Sequence, residues 1–291
     1  MQYKGPIYRP PSEADSLLIQ ATAGCPHNKC TFCMVYKNGP GYKIRDVKDI
    51  KADILKARDI YRDHVRTLFL PAGNTIAMKT DDLCEILIFA KETFSTLERI
   101  TVYGSSKYIH KKGPKGLKHL ADAGLSRIHV GLESGDDIIL KRIKKGTSSK
   151  EQIESGRWVI EAGIELSLYV ILGIGGKDRT DSHARETAKV LNEIVPDFIR
   201  LRTFVPKINT SLLAEVQNGS FQMLSPHEVL QEAAFLIKEL QASPYLASDH
   251  YANYINLEGK LPEGQKRLLD KINIALKQDE ASFRSFFIGT E

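Results

Sequence analysis

Three cysteines crowd into nine residues of this chain: Cys25, Cys30 and Cys33, within "ATAGCPHNKCTFCMVY" at 21–36. The rest of the 291 residues hold one more, Cys84. A tight triad with one distant partner is a poor disulfide framework, whereas in a reducing compartment it reads as a metal or redox site. The spacing is four residues, then two. Structural zinc would need a fourth ligand, and His27 in the same loop is the candidate that keeps that alternative open. Three thiolates in a compact loop suit an iron–sulfur cluster better. On a four-iron cluster three ligands leave one iron open, where something can bind and be activated.

Short apolar runs at 17–22, 66–70, 99–103, 127–132, 166–172 and 198–204 read as strands, being brief and bounded by turn residues. Amphipathic stretches at 46–63, 81–94, 115–123, 149–162 and 182–194 read as helices between them. Ser149 and Gln152 suit a capping box, Gly163 a helix C-terminus, and Gly113-Pro114 a helix start. Alternating strands and helices imply parallel pairing through right-handed crossovers. Six such units fall short of the eight of a closed barrel. An open barrel and a doubly wound sheet both remain, and either puts active groups at the C-terminal ends of the strands. The cysteine loop follows the first of them.

The last 86 residues differ. A loop at 206–224 leads to a helix opening at Ser225-Pro226-His227-Glu228, with a capping box and an N1 proline. A turn-rich stretch at 243–260 precedes a final helix near 262–278. We expect 1–205 to form the barrel and 206–291 an extension packed on it.

Composition is that of an ordinary globular protein, with 42% hydrophobic and 26% charged residues. The net charge of +5 permits an anionic partner without requiring one. No apolar run reaches the roughly 18 residues of a membrane span, and "MQYKGPIYRPPSEAD" lacks the apolar segment of a secretory signal. A cytoplasmic location is the default expectation.

A cysteine triad after the first strand of an incomplete βα barrel resembles the radical S-adenosylmethionine (radical SAM) superfamily, most nearly its coproporphyrinogen-oxidase-like and methylthiotransferase-like branches. The commonest spacing there is three then two; here it is four then two. Phe32 matches the aromatic residue that often precedes the third cysteine. The likeness covers 16–205. It implies an α/β fold, an incomplete (β/α)6 TIM-like barrel with a mainly helical C-terminal extension. It also implies an oxygen-sensitive 4Fe–4S cluster on Cys25, Cys30 and Cys33, with the open iron chelating SAM. The expected outcome is reductive cleavage to a 5′-deoxyadenosyl radical, which abstracts hydrogen from a substrate.

The resemblance extends to the other strand ends. Ala72-Gly73-Asn74 occupies the place of a Gly-Gly-Glu motif that receives the SAM amino group; Asn74 replaces the carboxylate with a neutral oxygen, roughly half as strong an acceptor. Glu133 and Ser134 match polar contacts to SAM, and Lys145 a basic residue that holds its carboxylate. "VILGIGG", with Leu172 and Gly173, is similar to a Gly-x-Ile-x-Gly motif beside the adenine. Phe204 and Val205 complete that site. Cys84, on an apolar helix face, reads as a small core residue.

The substrate is not written in these motifs. The absence of further cysteine clusters disfavours methylthiolation. Arg200 and Arg202, expected at the barrel mouth, favour a small molecule with carboxylates. His250, Tyr251, Asn253 and Tyr254 read as packing residues or as a pocket wall. The expected partners are an unidentified small-molecule substrate and a one-electron donor of the flavodoxin or ferredoxin type, with no membrane. The basic stretch 107–119 keeps an RNA-modifying radical SAM enzyme, and hence nucleic acid, as one alternative. The missing glutamate keeps a non-catalytic iron–sulfur electron-transfer protein as another.

Overall fold

The apolar runs become a mainly parallel sheet. The structure is a computed structural model that describes residues 1–5 and 7–290. Its strands are β1 (Leu17–Leu18), β2 (Thr22–Ala23), β3 (Lys43–Ile44), β4 (Thr67–Leu70), β5 (Arg99–Gly104), β6 (Arg127–Glu133), β7 (Glu165–Leu172), β8 (Phe198–Thr203), β9 (Tyr245–Ala247) and β10 (Glu258–Lys260). The helices are α1 (Val47–Tyr61), α2 (Thr80–Thr93), α3 (Ser106–Asp122), α4 (Asp137–Arg142), α5 (Ser149–Glu161), α6 (Thr180–Ile194), α7 (Ser211–Gln217), α8 (Pro226–Glu239) and α9 (Gln265–Ala275). The larger sheet has the order β1-β4-β5-β6-β7-β8-β9-β10, and β2 with β3 makes a separate hairpin. Sequential parallel neighbours with intervening helices are the βα pattern of a partial TIM barrel.

By contacts the chain divides into two compact units. The first comprises 1–28, 35–130 and 158–166. Here β1 pairs with β4, β4 with β5 and β5 with β6, all parallel. Leu68, Phe69, Leu70, Ile100 and Val102 on these strands, with Ile50 and Ile54 of α1 and Ile86 and Leu87 of α2, are at most 1% exposed and form its core. Asp46 caps α1 by accepting from Lys48 N–H at 2.8 Å. α3 is two helical pieces joined at Gly113, whose φ of 66° precedes Pro114; proline supplies no N–H, so the second piece starts there.

The second unit comprises 29–34, 131–157 and 167 onward. In it β7, β8 and β9 run parallel, and β10 returns antiparallel to β9. An apolar cluster of Ile139, Leu140, Ile143, Ile174, Phe204, Leu212 and Phe221 packs beside them. The capping box at Ser225 and Glu228 forms as expected.

Four details differ from the sequence expectations. The run 17–22 is not one strand: Ile19 N–H still donates to Phe69 O at 3.2 Å, after which Thr22 and Ala23 turn to pair antiparallel with Ile44 and Lys43. The capping box before α5 is Ser148 with Glu151, one residue earlier than expected, because the Ser149 hydroxyl is taken by Asp137 at 2.9 Å. The turn-rich stretch 243–260 contains β9 and β10. These are three-residue strands, too short for an alternation signal. α7, of seven residues, escaped for the same reason.

Candidate functional site

The cysteine loop is the connection of the β2–β3 hairpin. Its neck is closed at Gly24, whose φ is 70° and where a Cβ would lie 2.7 Å from Pro40 O. Only glycine meets both conditions. All four cysteines are reduced and partly exposed.

In the first unit Cys25 lies against the turn after β4. A Cβ on Gly73 would come within 2.5 Å of Tyr36 Cε2 and 3.0 Å of both Cys25 Cβ and Gly24 O. The turn and the loop thus touch through a missing side chain. Ala72, 2% exposed, is held at φ 94°, a strained conformation for a residue with a Cβ. Asn74, 2% exposed, donates through Nδ2 to Ser105 Oγ at 2.8 Å. Its Oδ1 is buried with no hydrogen-bond partner among the described residues, and so is Tyr42 Oη. Burial first, then Tyr108 and Cys25, pushes the Tyr42 hydroxyl up to about 12. An orphaned buried acceptor costs about 1–3 kcal/mol, which leaves Asn74 Oδ1 able to accept one more donor.

In the second unit Cys30 and Cys33 flank Thr31, whose N–H donates to Ile143 O at 3.0 Å and whose carbonyl accepts from Leu212 N–H at 3.0 Å. The loop is thereby fixed to the end of α4. Two residues beyond that end, Lys145 N–H donates to Leu140 O at 2.9 Å. Lys145 Nζ lies 2.6 Å from Glu133 Oε1, and both side chains are 10% exposed. Burial works against the ammonium, but Glu133, Cys30 and Cys33 outweigh it and hold Lys145 above the ordinary lysine range. Phe32 faces the same ammonium, its ring centroid 6.0 Å away. Glu133 has a φ of 65°. A Cβ on Gly131 would sit 2.0 Å from Glu133 Oε1 and 2.9 Å from Lys145 Nζ, so the pair fills the space above a glycine.

Leu172, 4% exposed, closes β7, and its carbonyl accepts from Phe204 N–H at 2.8 Å. Gly173 follows at φ 78°. Phe204 and Val205 are 5% and 6% exposed, and Phe204 packs edge-on to Phe221 at 5.4 Å. Ser134 is fully buried, with its hydroxyl on His183 Nδ1 at 2.9 Å and on Asp136 N–H at 3.0 Å. Arg200, 8% exposed, donates to Ser167 Oγ at 3.3 Å, while Arg202 on the same strand face is exposed and meets His250 Nε2. Asn253 ties down the end of β8, accepting from Thr203 N–H at 2.7 Å and donating to Leu201 O at 2.9 Å. Cys84 is half-buried against His119 O at 3.6 Å, and burial raises its thiol.

Tyr36, Tyr42, Gly131, His183 and Glu232 were not singled out in the sequence. Only Gly131, in the strand end "VGLES", carried a local signal, a glycine inside an apolar strand.

The donor chemistry can be tested against the group it suggests. Among the described residues no three His, Cys, Asp or Glu side chains converge on one ion. A polynuclear cluster takes one thiolate on each of several irons, so its ligands need not converge. Reduced, partly exposed thiols are the donor type such a cluster takes.

The profile of the radical SAM superfamily matches residues 19–191. The chain belongs to that superfamily, a class of enzymes that use a 4Fe–4S cluster and SAM. It is 29% identical over 178 residues to 4′-phospho-dehydrooxetanocin synthase of Priestia megaterium, covering 54% of this chain and 23% of that protein. It is 26% identical over 200 residues to a tRNA-2-methylthio-N(6)-dimethylallyladenosine synthase of Hahella chejuensis, covering 64% and 42%. The chain thus spans less than half of each of these relatives. Coproporphyrinogen III oxidase of Escherichia coli shares the fold, with a TM-score of 0.56 at 18% identity over 77% of this chain and 52% of that one. Among the described residues no helix is long and apolar enough to cross a membrane.

Proposed function

We propose that this chain is a radical SAM enzyme acting on a small anionic substrate, with the cluster on Cys25, Cys30 and Cys33. Held by these three thiolates and reduced, such a cluster would supply the electron for reductive cleavage of SAM and so the 5′-deoxyadenosyl radical chemistry of hydrogen abstraction. The chain's residues bind and orient. Asn74 Oδ1, with the carbonyls of Ala72 and Gly73, accepts from the SAM ammonium. Lys145 holds the SAM carboxylate, and Glu133 accepts from ribose hydroxyls while keeping Lys145 charged. Phe32 packs beside the third cysteine. The backbones of Leu172, Gly173, Phe204 and Val205 edge the adenine.

The observation that carries this reading is Lys145, a buried cation balanced between Glu133 and the thiols of Cys30 and Cys33. Buried, strongly perturbed charges concentrate at functional sites. Arg200 and Arg202 on one face of β8 support a carboxylated or phosphorylated substrate. A one-electron donor of the flavodoxin or ferredoxin type, and a cytoplasmic location, go with the chemistry.

A second reading is an RNA substrate. It is supported by the exposed Lys111, Lys115 and Lys118 of α3 and by relatives named for tRNA modification. One anaerobic experiment tests the core claim. The protein is reconstituted with iron and sulfide, reduced and given SAM, with Cys30→Ala as control. Formation of 5′-deoxyadenosine by the wild type alone is expected. A cluster-loaded wild type that makes none removes the enzymatic reading and leaves the electron-transfer protein. Salt-sensitive tRNA binding would favour RNA over the small molecule.

A further inference from the structure

α8 buries an apolar face made of Val229, Leu230, Ala233, Leu236 and Ile237, and one acid sits among them. Glu232 is 4% exposed. An apolar residue would pack there at less cost, so the carboxylate must answer to specific partners. Its Oε1 accepts from Gly173 N–H at 2.7 Å, and its Oε2 accepts from the Thr180 hydroxyl at 2.6 Å. His183 of α6, 1% exposed, places Nε2 3.1 Å from Ile171 O and 3.7 Å from Glu232 Oε1.

A carbonyl can only accept, so the ring carries a proton on Nε2 and that nitrogen donates to Ile171 O. Nδ1 faces the hydroxyls of Ser134 at 2.9 Å and Thr187 at 3.2 Å. These two oxygens in turn accept from Asp136 N–H at 3.0 Å and Gly135 N–H at 2.9 Å. Glu232 therefore ties α8 to Gly173 and Thr180 beyond β7, and His183 links the end of β7 at Ile171 to the turn after β6 at Ser134. Gly173 is the joint that most needs such a tie, because its φ of 78° lies where glycine moves freely.

We propose that Glu232, acting with His183, is a positioning residue for the adenosyl side of SAM. Glu232 fixes the Leu172–Gly173 peptide, while His183, through Ser134, holds the turn that follows Glu133. This inference rests on the assignment of those turns to SAM made above. It gives the C-terminal extension a part in cofactor binding that none of the cysteine or glycine motifs supplies.

The test is calorimetric titration of SAM into the anaerobically reconstituted protein, with cluster absorbance and thermal melting followed in parallel. Glu232→Ala is expected to raise the Kd for SAM at least tenfold with cluster absorbance unchanged. Glu232→Gln should stay within threefold of wild type, because its amide oxygen still accepts from Gly173 and its amide nitrogen can donate to Thr180. Thr180→Val removes one hydrogen bond without changing shape and should raise Kd two- to fivefold. It keeps the test decisive should Glu232→Ala not fold. Wild-type affinity in Thr180→Val or Glu232→Ala, with only a lower melting temperature, would reduce Glu232 to a packing role and overturn the inference. So would a Gln variant as weak as Ala. A cluster-loaded wild type that binds no SAM would instead overturn the SAM-site reading itself and the inference with it.

Discussion

Lys145 Nζ and Glu133 Oε1 lie 2.6 Å apart at sites that are each 10% exposed, and Lys145 also feels Cys30 and Cys33. The pair stands where Gly131 has no side chain. Removing one partner leaves the other charge buried and uncompensated, at a cost of about 3–5 kcal/mol. Glu133→Leu should therefore lower stability by that order in urea melts. The double variant Glu133→Leu with Lys145→Met should recover much of the loss while abolishing SAM binding. A double variant no more stable than the single one would mean the two side chains do not act as a pair.

Gly73 offers a narrower test of the first unit. A Cβ there meets the Tyr36 ring, Cys25 Cβ and the Gly24 carbonyl, and the last is backbone with little room to give. We expect Gly73→Ala to cost about 1–3 kcal/mol and to reduce iron bound per chain after reconstitution. Iron assay alongside melting checks this. Full iron content would show that the loop can move away without loss.

Asn74 Oδ1 has no hydrogen-bond partner among the described residues, and its burial makes a charge at that position costly. Asn74→Asp should melt lower than wild type without SAM, and saturating SAM should raise its melting temperature by more than it raises that of wild type. Asn74→Leu should respond least. Equal responses in all three would remove Asn74 from the ammonium site.

Glu13 gives the pH prediction. It is fully buried, accepting from Ser16 Oγ at 2.7 Å and lying 3.3 Å from His129 Nε2, with Arg99 3.4 Å away. Burial alone would raise its carboxyl, but these partners prevail and lower it from 4.5 to about 2. A carboxylate depressed in the folded state adds stability that is present above the unfolded value and lost as pH falls through the folded one. The loss should fall between about pH 4.5 and pH 2 and be on the order of 2 kcal/mol after allowance for solvent screening. Glu13→Gln should lose that amount at pH 7 and show a flatter dependence across the acid window in urea melts. An unchanged acid limb would assign the transition to other carboxylates.

What the sequence by itself determined is what neighbours along the chain can encode. The six strand runs, the capping box at Ser225 and Glu228 and the cysteine spacing each depend on residues a few positions apart, and five of the six runs and the cap survive intact in the fold. The superfamily was legible for the same reason, since one short loop carries its mark. The two-residue β3, the three-residue β9 and β10 and the seven-residue α7 were not legible, because too few positions remain for a period to show. Tertiary structure alone decided which side chains meet. Glu133 and Lys145 are 12 positions apart and join through a glycine's empty space. Ser134 and His183 are 49 apart, and Gly173 and Glu232 are 59 apart. Burial then forces such distant polar groups to satisfy one another, because water is not there to do it.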